Sequence, residues 1–253
     1  MTKDGGVPRP VTLVTGASRG IGAATARLLS RNGHDVALTY LERDDEIQSV
    51  VADCRDAGAR VFVGQVDLSD TDGAPELIAR VLAELGRIDN LVNNAGVTGQ
   101  VGNFTDLKLR DVELLMRVNV VSPLRLAQSV IAHLLDSGAP GSIVNISSTA
   151  ATTGAPNTYI PYAMSKASVH AMTIGLAKEY GPHGIRVNTV TPGTIRTEIH
   201  ALSGNPDAPA QRAPTIPLRR AGEPEEVAGA VAYLLSPAAG YVSGAEIRVT
   251  GAV

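Results

Sequence analysis

Short apolar runs alternate with longer amphipathic stretches along almost the whole chain. Seven runs, most of them continuously apolar, have the length and composition of strands covered on both faces: 11–15, 36–40, 61–66, 91–93, 142–146, 186–190 and 246–249. Helical patterns occupy residues 21–31, 44–57, 74–85, 112–135, 159–180 and 224–235. Strands that alternate with helices indicate right-handed crossovers between parallel strands. The pattern therefore predicts an α/β fold, a single-domain, doubly wound parallel sheet of about seven strands flanked by helices.

One segment interrupts this alternation. Residues 201–217 have no clear period and contain a glycine and four prolines: Gly204, Pro206, Pro209, Pro214 and Pro217. A long irregular segment in a compact domain is often functional, and open α/β sheets bind ligands beyond the carboxyl ends of their strands. Because this segment follows the sixth strand, we predict that residues 198–217 form a substrate lid. A surface insertion without a role is the alternative.

Composition limits the possible partners. The 253 residues are 44% hydrophobic and 19% charged with a net charge of −3, so we expect one soluble domain over 1–253 and neither nucleic acid nor membrane as a partner. No apolar run approaches a membrane span, and residues 1–10 read as a frayed tail without a signal-peptide core. Cys54 is the only cysteine, so no intramolecular disulfide is possible. We expect a cytoplasmic protein and predict no metal site.

A glycine-rich turn joins the first predicted strand to the first helix. Gly16, Gly20 and Gly22 would permit a tight turn and close approach of the backbone to a pyrophosphate, which the helix N-terminus favours. The spacing is G-x-x-x-G-x-G rather than the commoner G-x-G-x-x-G. Its position between a strand and a helix makes a dinucleotide the expected ligand.

A tyrosine and a lysine lie four residues apart in a predicted helix. Tyr162 and Lys166 therefore share one helix face, with their Cβ atoms about 5–6 Å apart. A free tyrosine has a pKa of about 10, and a nearby cation favours the phenolate and lowers that pKa. We therefore interpret the pair as an acid–base device.

Six segments, taken in order, resemble motifs of the classical short-chain dehydrogenase/reductase family. They are the turn Thr15-Gly16-Ala17-Ser18-Arg19-Gly20-Ile21-Gly22, then Asn93-Asn94-Ala95-Gly96, Asn119, Ser148, the Tyr162/Lys166 pair, and Pro192-Gly193-Thr194-Ile195-Arg196-Thr197. The resemblance covers about residues 11–249 and is nearest to 3-oxoacyl-carrier-protein reductases and glucose-dehydrogenase-like members. It implies a Rossmann-type fold that binds NAD(P) and an enzyme that interconverts a ketone or aldehyde and an alcohol. The family's Asp-Gly-Gly-like ending is replaced here by Thr250-Gly251-Ala252-Val253, which weakens the expectation for that local subunit contact.

The resemblance also implies a role for each member of a catalytic tetrad. Tyr162 donates the proton, Lys166 lowers its pKa and holds the nicotinamide ribose, Ser148 binds the carbonyl oxygen, and Asn119 holds a proton-relaying water. Ser147 stays open as an alternative to Ser148, because the span to Tyr162 is about one residue longer than usual.

The resemblance further implies which residues contact the cofactor. They are Gly16, Ser18, Arg19, Gly20, Ile21, Gly22, Tyr40, Arg43, Asp67, Leu68, Asn93, Ala95, Gly96, Tyr162, Lys166, Pro192, Gly193, Ile195 and Thr197.

NADP(H) is the favoured cofactor and NAD(H) is possible. NAD-binding members tend to carry an Asp where this chain has Thr39-Tyr40, while Arg19 and Arg43 could pair with a 2′-phosphate. Glu42 is the counter-argument, because it could reach a ribose 2′-hydroxyl. A surface salt bridge is the alternative for Arg19, and a helix N-cap is the alternative for Asp67.

The sequence supports several functional hypotheses, none of which specifies the substrate. The leading hypothesis is an NADP(H)-dependent oxidoreductase acting on a small carbonyl or alcohol. The alternatives are a non-catalytic dinucleotide-binding scaffold or redox sensor and, more remotely, a sugar-nucleotide epimerase. Members of the family commonly pair their two long central helices, here 112–135 and 159–180, between subunits. The resemblance therefore implies a homotetramer or a dimer.

Overall fold

The computed structural model describes residues 9–42, 44–99 and 101–253. Its centre is a seven-stranded parallel sheet with strand order β3-β2-β1-β4-β5-β6-β7. The strands are β1 (Val11–Val14), β2 (Asp35–Tyr40), β3 (Val61–Gln65), β4 (Asn90–Asn93), β5 (Gly141–Ile146), β6 (Ile185–Pro192) and β7 (Glu246–Val249). The order reverses between β1 and β4, which makes that pair the switch point of a doubly wound sheet. The predicted fold class is confirmed.

Ten α-helices connect or follow the described strands. They are α1 (Gly20–Arg31), α2 (Asp44–Asp56), α3 (Ala74–Leu85), α4 (Leu109–Met116), α5 (Ser122–Ser137), α6 (Ala150–Thr153), α7 (Ile160–Tyr180), α8 (Ile199–Leu202), α9 (Ala208–Arg212) and α10 (Pro224–Leu235). Short 3₁₀ turns occupy Phe104–Asp106, Gly181–His183, Ala213–Thr215 and Pro237–Ala239.

Two hydrophobic clusters lie on opposite faces of the sheet. One contains residues of α1, α2 and α10, such as Leu29 and Val231, and the other contains residues of α3, α5 and α7, such as Val81 and Leu126. Adjacent residues of a strand point to opposite faces of the sheet and pack into opposite clusters, which explains why the strands are continuously apolar. Covered faces leave only the strand ends open for ligands.

The predicted helix over 112–135 is interrupted in the structure. A π-helical turn, Arg117–Val121, separates α4 from α5 and contains Asn119. Pro123 follows closely and has no N–H to donate to the carbonyl of residue 119, so a regular α-helical ladder cannot continue there. Helical periodicity alone does not reveal this change of pitch.

The same region bears on membrane association. Residues Leu109–Ser137 form a helical stretch that is long and apolar enough to cross a membrane by length and composition, with a mean hydropathy of 1.2. The expectation that no segment approaches this limit is wrong by that measure. Leu126, Val130 and Leu134 are fully buried in the core against the sheet, as in a core helix.

The segment 198–217 is more regular than its sequence suggests. It contains α8, α9 and the 3₁₀ turn Ala213–Thr215, although no period was apparent. Ala208 and Ile216 are buried and anchor it to the rest of the protein. Helices of four or five residues are too short to produce a detectable amphipathic pattern.

Candidate active site

The residues singled out by the sequence gather at the carboxyl ends of the parallel strands. Gly16 follows β1, Asn94 follows β4, Ser148 follows β5, and Pro192 ends β6. The strand order reverses at this edge, between β1 and β4, and ligands of doubly wound sheets bind at such a point.

The glycine turn is folded so tightly that side chains would not fit. Gly16 and Gly20 have φ angles of +65° and +53°, which L-residues with a side chain rarely adopt. A Cβ on Gly22 would overlap the carbonyl oxygen of Gly16 and lie 2.5 Å from the Asn94 amide nitrogen. The tight turn therefore leads the backbone directly into the N-terminus of α1, whose free N–H groups suit the phosphates of a dinucleotide.

Asn94 and Thr15 hold this turn in place. The Asn94 amide donates hydrogen bonds to the carbonyls of Thr15 (2.8 Å) and Gly16 (3.0 Å). The Thr15 hydroxyl accepts from the backbone N–H groups of Asn94 (3.1 Å) and Ala95 (3.0 Å). Neither residue was among the predicted site residues, although both lie within the motifs that carry the resemblance.

Tyr162 and Lys166 lie on α7, where both are buried. The Lys166 ammonium is 5.7 Å from the centroid of the Tyr162 ring and donates a hydrogen bond to the Ile146 carbonyl at 2.8 Å. Tyr159 packs edge-on against Tyr162 with ring centroids 5.2 Å apart. The i, i+4 pair therefore shares a helix face as predicted.

The protonation of the pair differs from the expectation. Burial raises the pKa of Tyr162 to about 12, although its hydrogen bond with Ser148 acts in the opposite direction. Burial also lowers the pKa of Lys166 to about 8. The prediction that the lysine cation lowers the tyrosine pKa is thus wrong for this structure, because desolvation of the phenolate dominates.

The two adjacent serines have different surroundings. The Ser147 hydroxyl is buried, donates to the Lys166 carbonyl at 3.0 Å, and is hydrogen-bonded to Nε2 of His170 at 2.7 Å. Ser148 is half-buried and forms the hydrogen bond with Tyr162. Of the two serines that the sequence left open, the structure brings Ser148 to the phenol.

Ser147 belongs to a second chain of polar groups that the sequence did not reveal. Nδ1 of His170 lies 3.9 Å from a carboxylate oxygen of Glu246 on β7. Serine, histidine and an acid in this order are found in nucleophilic triads, but here the serine hydroxyl is buried and committed to the Lys166 carbonyl. These contacts therefore connect α7 to the residue that follows β5 and to β7. No spacing in the sequence links these three residues.

Asn119 is placed next to Lys166 by the π-helical turn. Its buried amide donates to the Val97 carbonyl (2.8 Å) and to the Ser165 hydroxyl (3.0 Å), and its oxygen accepts from the Val97 N–H at 2.9 Å. A Cβ on Gly96 would lie 3.2 Å from the Asn119 oxygen and 3.3 Å from the Lys166 nitrogen. A side chain at position 96 would therefore crowd both groups and require them to shift by a few tenths of an ångström.

Arg19 points toward the segment that follows β6. Its Nη1 atom is 2.8 Å from Glu198, so Arg19 forms the salt bridge that was the alternative reading of this residue. Thr197 packs against Gly20, where a Cβ would lie 3.1 Å from the threonine methyl. Ser18 and Arg19 line a cleft of about 250 Å³ beside the glycine turn.

The other cofactor candidates lie at the ends of β2 and β3. Tyr40 ends β2 and is half-buried, and Glu42 is exposed in the bend that follows. Arg43 lies outside the described residues. The Asp67 carboxylate accepts the Ser69 N–H at 2.8 Å, and Leu68 packs against the core. The N-cap alternative for Asp67 is wrong, because α3 begins at Ala74.

The remaining candidates flank the catalytic side. The buried Asn93 amide donates to Asn145 at 2.9 Å, while Ile195 is buried and pairs with Gly222 in an isolated bridge. Gly193 faces Thr250 so closely that a Cβ there would lie 2.9 Å from its Cα. Pro192, Gly193 and Ile195 therefore lie at the carboxyl end of β6, packed against neighbouring segments, and Ala95 lies after β4, next to Gly16.

Comparison with known proteins agrees with this architecture. A family model described as enoyl-(acyl carrier protein) reductase matches residues 16–252. The chain is 37% identical to the uncharacterized oxidoreductase YgfF of Escherichia coli K12, over 95% of this chain and 98% of that protein. It is also 37% identical to L-rhamnose 1-dehydrogenase (NAD(P)+) of Sphingomonas sp. strain SKA58, over 94% of each chain.

A solved structure shares the whole fold. The blue fluorescent protein from a metagenomic library, crystallised in complex with NADPH, superposes with a TM-score of 0.86 at 34% identity, covering 96% of this chain and 97% of that one. The sheet and site define a dinucleotide-binding oxidoreductase of the Rossmann class. The chain belongs to the short-chain dehydrogenase/reductase family, whose members act on alcohol and carbonyl groups.

Proposed function

We propose that this protein is an NADP(H)-dependent oxidoreductase that interconverts a ketone or aldehyde and an alcohol. The observation that carries the proposal is the hydrogen-bonded pair of Ser148 and Tyr162, which stands beside Lys166 at the strand ends that also hold the glycine turn. A dinucleotide bound at that turn would supply or accept a hydride. The side chains of the protein then need only to bind the substrate oxygen and to donate or accept one proton.

Tyr162 is the proposed proton donor in the direction of reduction. With a pKa near 12 the phenol is neutral at physiological pH, so it carries the proton that a nascent alkoxide requires. Ser148 would donate a second hydrogen bond to the same substrate oxygen, in the manner of an oxyanion hole. Substrate oxygen between these two hydroxyls would be polarised and oriented by both.

Lys166 and Asn119 are the proposed supporting members. Lys166, with a pKa near 8, is mostly protonated at neutral pH and can donate a hydrogen bond to a ribose hydroxyl. Asn119 uses its amide to fix the Val97 backbone and Ser165. We propose that Asn119 positions the backbone at Val97 beside the site. A proton-relaying water would bind to the remaining lone pair of the Asn119 side-chain oxygen or to the main chain.

A preference for NADP(H) is supported by the charges near the glycine turn. Arg19 lies at the N-terminus of α1, and β2 ends in Tyr40 rather than in an acid that would hold a free 2′-hydroxyl. The similar metagenomic protein was crystallised with NADPH. NAD(H) is the second candidate, through Glu42.

A spectrophotometric panel tests the reaction class. The protein is mixed with NADPH or NADH and with ketones, aldehydes, sugars and 3-oxoacyl thioesters, and loss of the reduced nicotinamide absorbance is followed. We expect turnover with at least one carbonyl and faster turnover with NADPH. Tight NADPH binding with no turnover of any compound would favour the second candidate function, a dinucleotide-binding scaffold or redox sensor.

Assembly and the lid complete the proposal. Met164 and Ile174 on α7, and Leu124 on α5, are large apolar side chains that are about half exposed, which supports a homotetramer or dimer paired through these helices. A stable monomer of about 26 kDa in sedimentation at micromolar concentration would contradict it. We also propose that residues 198–217 act as the substrate lid and that the protein, whose single cysteine needs no oxidising compartment, is cytoplasmic.

A further inference from the structure

An ion pair connects the glycine turn to the first residue of the lid segment. Arg19, the N-cap residue of α1, contacts the Glu198 carboxylate at 2.8 Å across 179 positions of sequence. Glu198 is itself the N-cap residue of α8. The pair therefore joins the residue expected to recognise a 2′-phosphate to the segment expected to cover the substrate.

The neighbouring charges have partners of their own. Arg27 pairs with Asp53 at 2.6 Å, and Arg196 pairs with Glu223 at 2.9 Å. Glu225 lines the same cleft as Arg19 and Glu198. Glu198 is thus the carboxylate that the structure places on the Arg19 guanidinium.

A 2′-phosphate bound to Arg19 would compete with the Glu198 carboxylate for the same guanidinium group. A 2′-phosphate is a dianion or nearly so, and a carboxylate in contact with the same guanidinium would repel it. The arginine side chain is 32% exposed and that of Glu198 is 49% exposed, so the pair is solvated and weak enough to be displaced. A cofactor without a 2′-phosphate would not need to displace it.

We propose that Glu198 is a cofactor-selectivity residue that competes with the 2′-phosphate of NADP(H) for Arg19. Its carboxylate lowers the affinity for the phosphorylated cofactor and leaves the affinity for the unphosphorylated one unchanged. Because Glu198 is the first residue of the lid segment and the N-cap residue of α8, its displacement by the 2′-phosphate also breaks this ion pair between the lid segment and the glycine turn. This inference rests on the proposed function, since it requires Arg19 to meet a 2′-phosphate.

Adenosine 2′,5′-bisphosphate and adenosine 5′-monophosphate provide a test that needs no catalysis. The two probes differ only in the 2′-phosphate, and calorimetric titration measures their affinities for wild type, Glu198→Gln and Glu225→Gln. An exposed ion pair is typically worth up to about 1 kcal/mol, so Glu198→Gln should bind the bisphosphate about 2- to 6-fold more tightly. Its affinity for the monophosphate should not change. Glu225→Gln removes the same charge from the same cleft but not from Arg19, and should produce a smaller gain.

The variants Arg19→Gln and Arg19→Gln/Glu198→Gln, titrated in the same way, distinguish competition for Arg19 from simple repulsion of the phosphate. If Glu198 acts through Arg19, the gain from Glu198→Gln should largely disappear when Arg19 is Gln. An equal gain in both backgrounds, or equal gains in Glu198→Gln and Glu225→Gln, would overturn the proposal. Melting temperatures close to that of wild type show that each variant is folded.

The outcomes distinguish this inference from the proposed function. A wild type that prefers the bisphosphate, together with a Glu198→Gln variant that binds it no better, overturns the inference and leaves the cofactor preference standing. A wild type that binds both probes equally, unchanged by Arg19→Gln, overturns both the inference and the NADP(H) preference. The carbonyl panel tests the reaction class independently of either result.

Discussion

The proposed catalytic corner and the proposed cofactor corner of this site are built in opposite ways. Tyr162, Lys166 and Asn119 are each at most 8% exposed and held by fixed neighbours, whereas Arg19 and Glu198 are one third to one half exposed. In the buried corner, desolvation dominates and shifts the pKa values of the tyrosine and lysine in opposite directions. In the exposed corner, water screens the charges and allows partners to exchange. The comparison implies that, in the proposed function, the chemistry depends on buried groups and the cofactor selectivity on an exposed contact that can be replaced.

The largest effect is expected from removing the buried phenol hydroxyl. Tyr162→Phe should lower kcat by about 10²–10⁴-fold, because phenylalanine has no proton to give, and should leave cofactor affinity nearly unchanged. Steady-state kinetics with the best carbonyl of the panel measures the first effect and NADPH fluorescence titration the second. Tyr159→Phe, in the ring that packs against Tyr162, is the matched control. Near-normal kcat in Tyr162→Phe would mean that another group is the acid.

The two serines should separate catalysis from support. Ser148→Ala removes the hydroxyl that is hydrogen-bonded to Tyr162 and should cost about 10²–10³-fold in kcat. Ser147→Ala removes the bonds to the Lys166 carbonyl and His170, so we expect a loss of about 1 kcal/mol in stability with a much smaller change in kcat. Parallel kinetics and urea denaturation distinguish the two. The reverse pattern would reassign the catalytic hydroxyl to Ser147.

A smaller and more selective effect is expected at the exposed corner. Arg19→Ala should weaken NADPH binding by about 10- to 150-fold, the value of one charge-assisted contact of about 1.5–3 kcal/mol, and should spare NADH. Arg27→Ala is the control, because Arg27 lines the same cleft and pairs with Asp53. Fluorescence titration with both cofactors gives the affinities. Equal losses for NADPH and NADH would mean that Arg19 only shapes the glycine turn.

The smallest effect concerns the cost of burying Lys166. Its pKa is about 8 in the folded protein and has the ordinary value of 10.5 when unfolded, so between these values the unfolded chain holds the extra proton. The free energy of unfolding should therefore rise with pH in this window, while below it the buried ammonium destabilises the protein in full.

Lys166→Met should remove that pH dependence. Relative to this variant, the cofactor-free wild type should gain at most about 1.4 kcal/mol in unfolding free energy per pH unit between about pH 8 and 9.5. Urea unfolding at several pH values measures the difference. Tyr162 contributes the opposite slope only above about pH 10, where the unfolded phenol ionises. Parallel curves for the two proteins would show that the lysine is better solvated than its burial implies.

The strand and helix pattern was predictable because the core requires it. Continuous apolar runs are needed because each strand packs against two hydrophobic clusters, so the pattern predicts all seven strands. The predicted and observed strand ends coincide or differ by one residue, except at the end of β6, where they differ by two. The largest extension is β6, which continues to Thr191 and Pro192 because these pair with Arg248 and Val249 of β7. This pairing involves a strand more than fifty residues away, so local composition cannot predict how far β6 extends.

The sequence by itself determined the fold class, the glycine turn and the shared helix face of Tyr162 and Lys166, because these depend on local spacing and on apolar periodicity. Only the tertiary structure decided which serine meets the tyrosine, that Asn94 fixes the glycine turn, and that Arg19 meets Glu198. It also reversed the expected direction of the Tyr162 pKa. The physical reason is that burial and charge are sums over groups from many elements, and distance along the chain does not report distance through space.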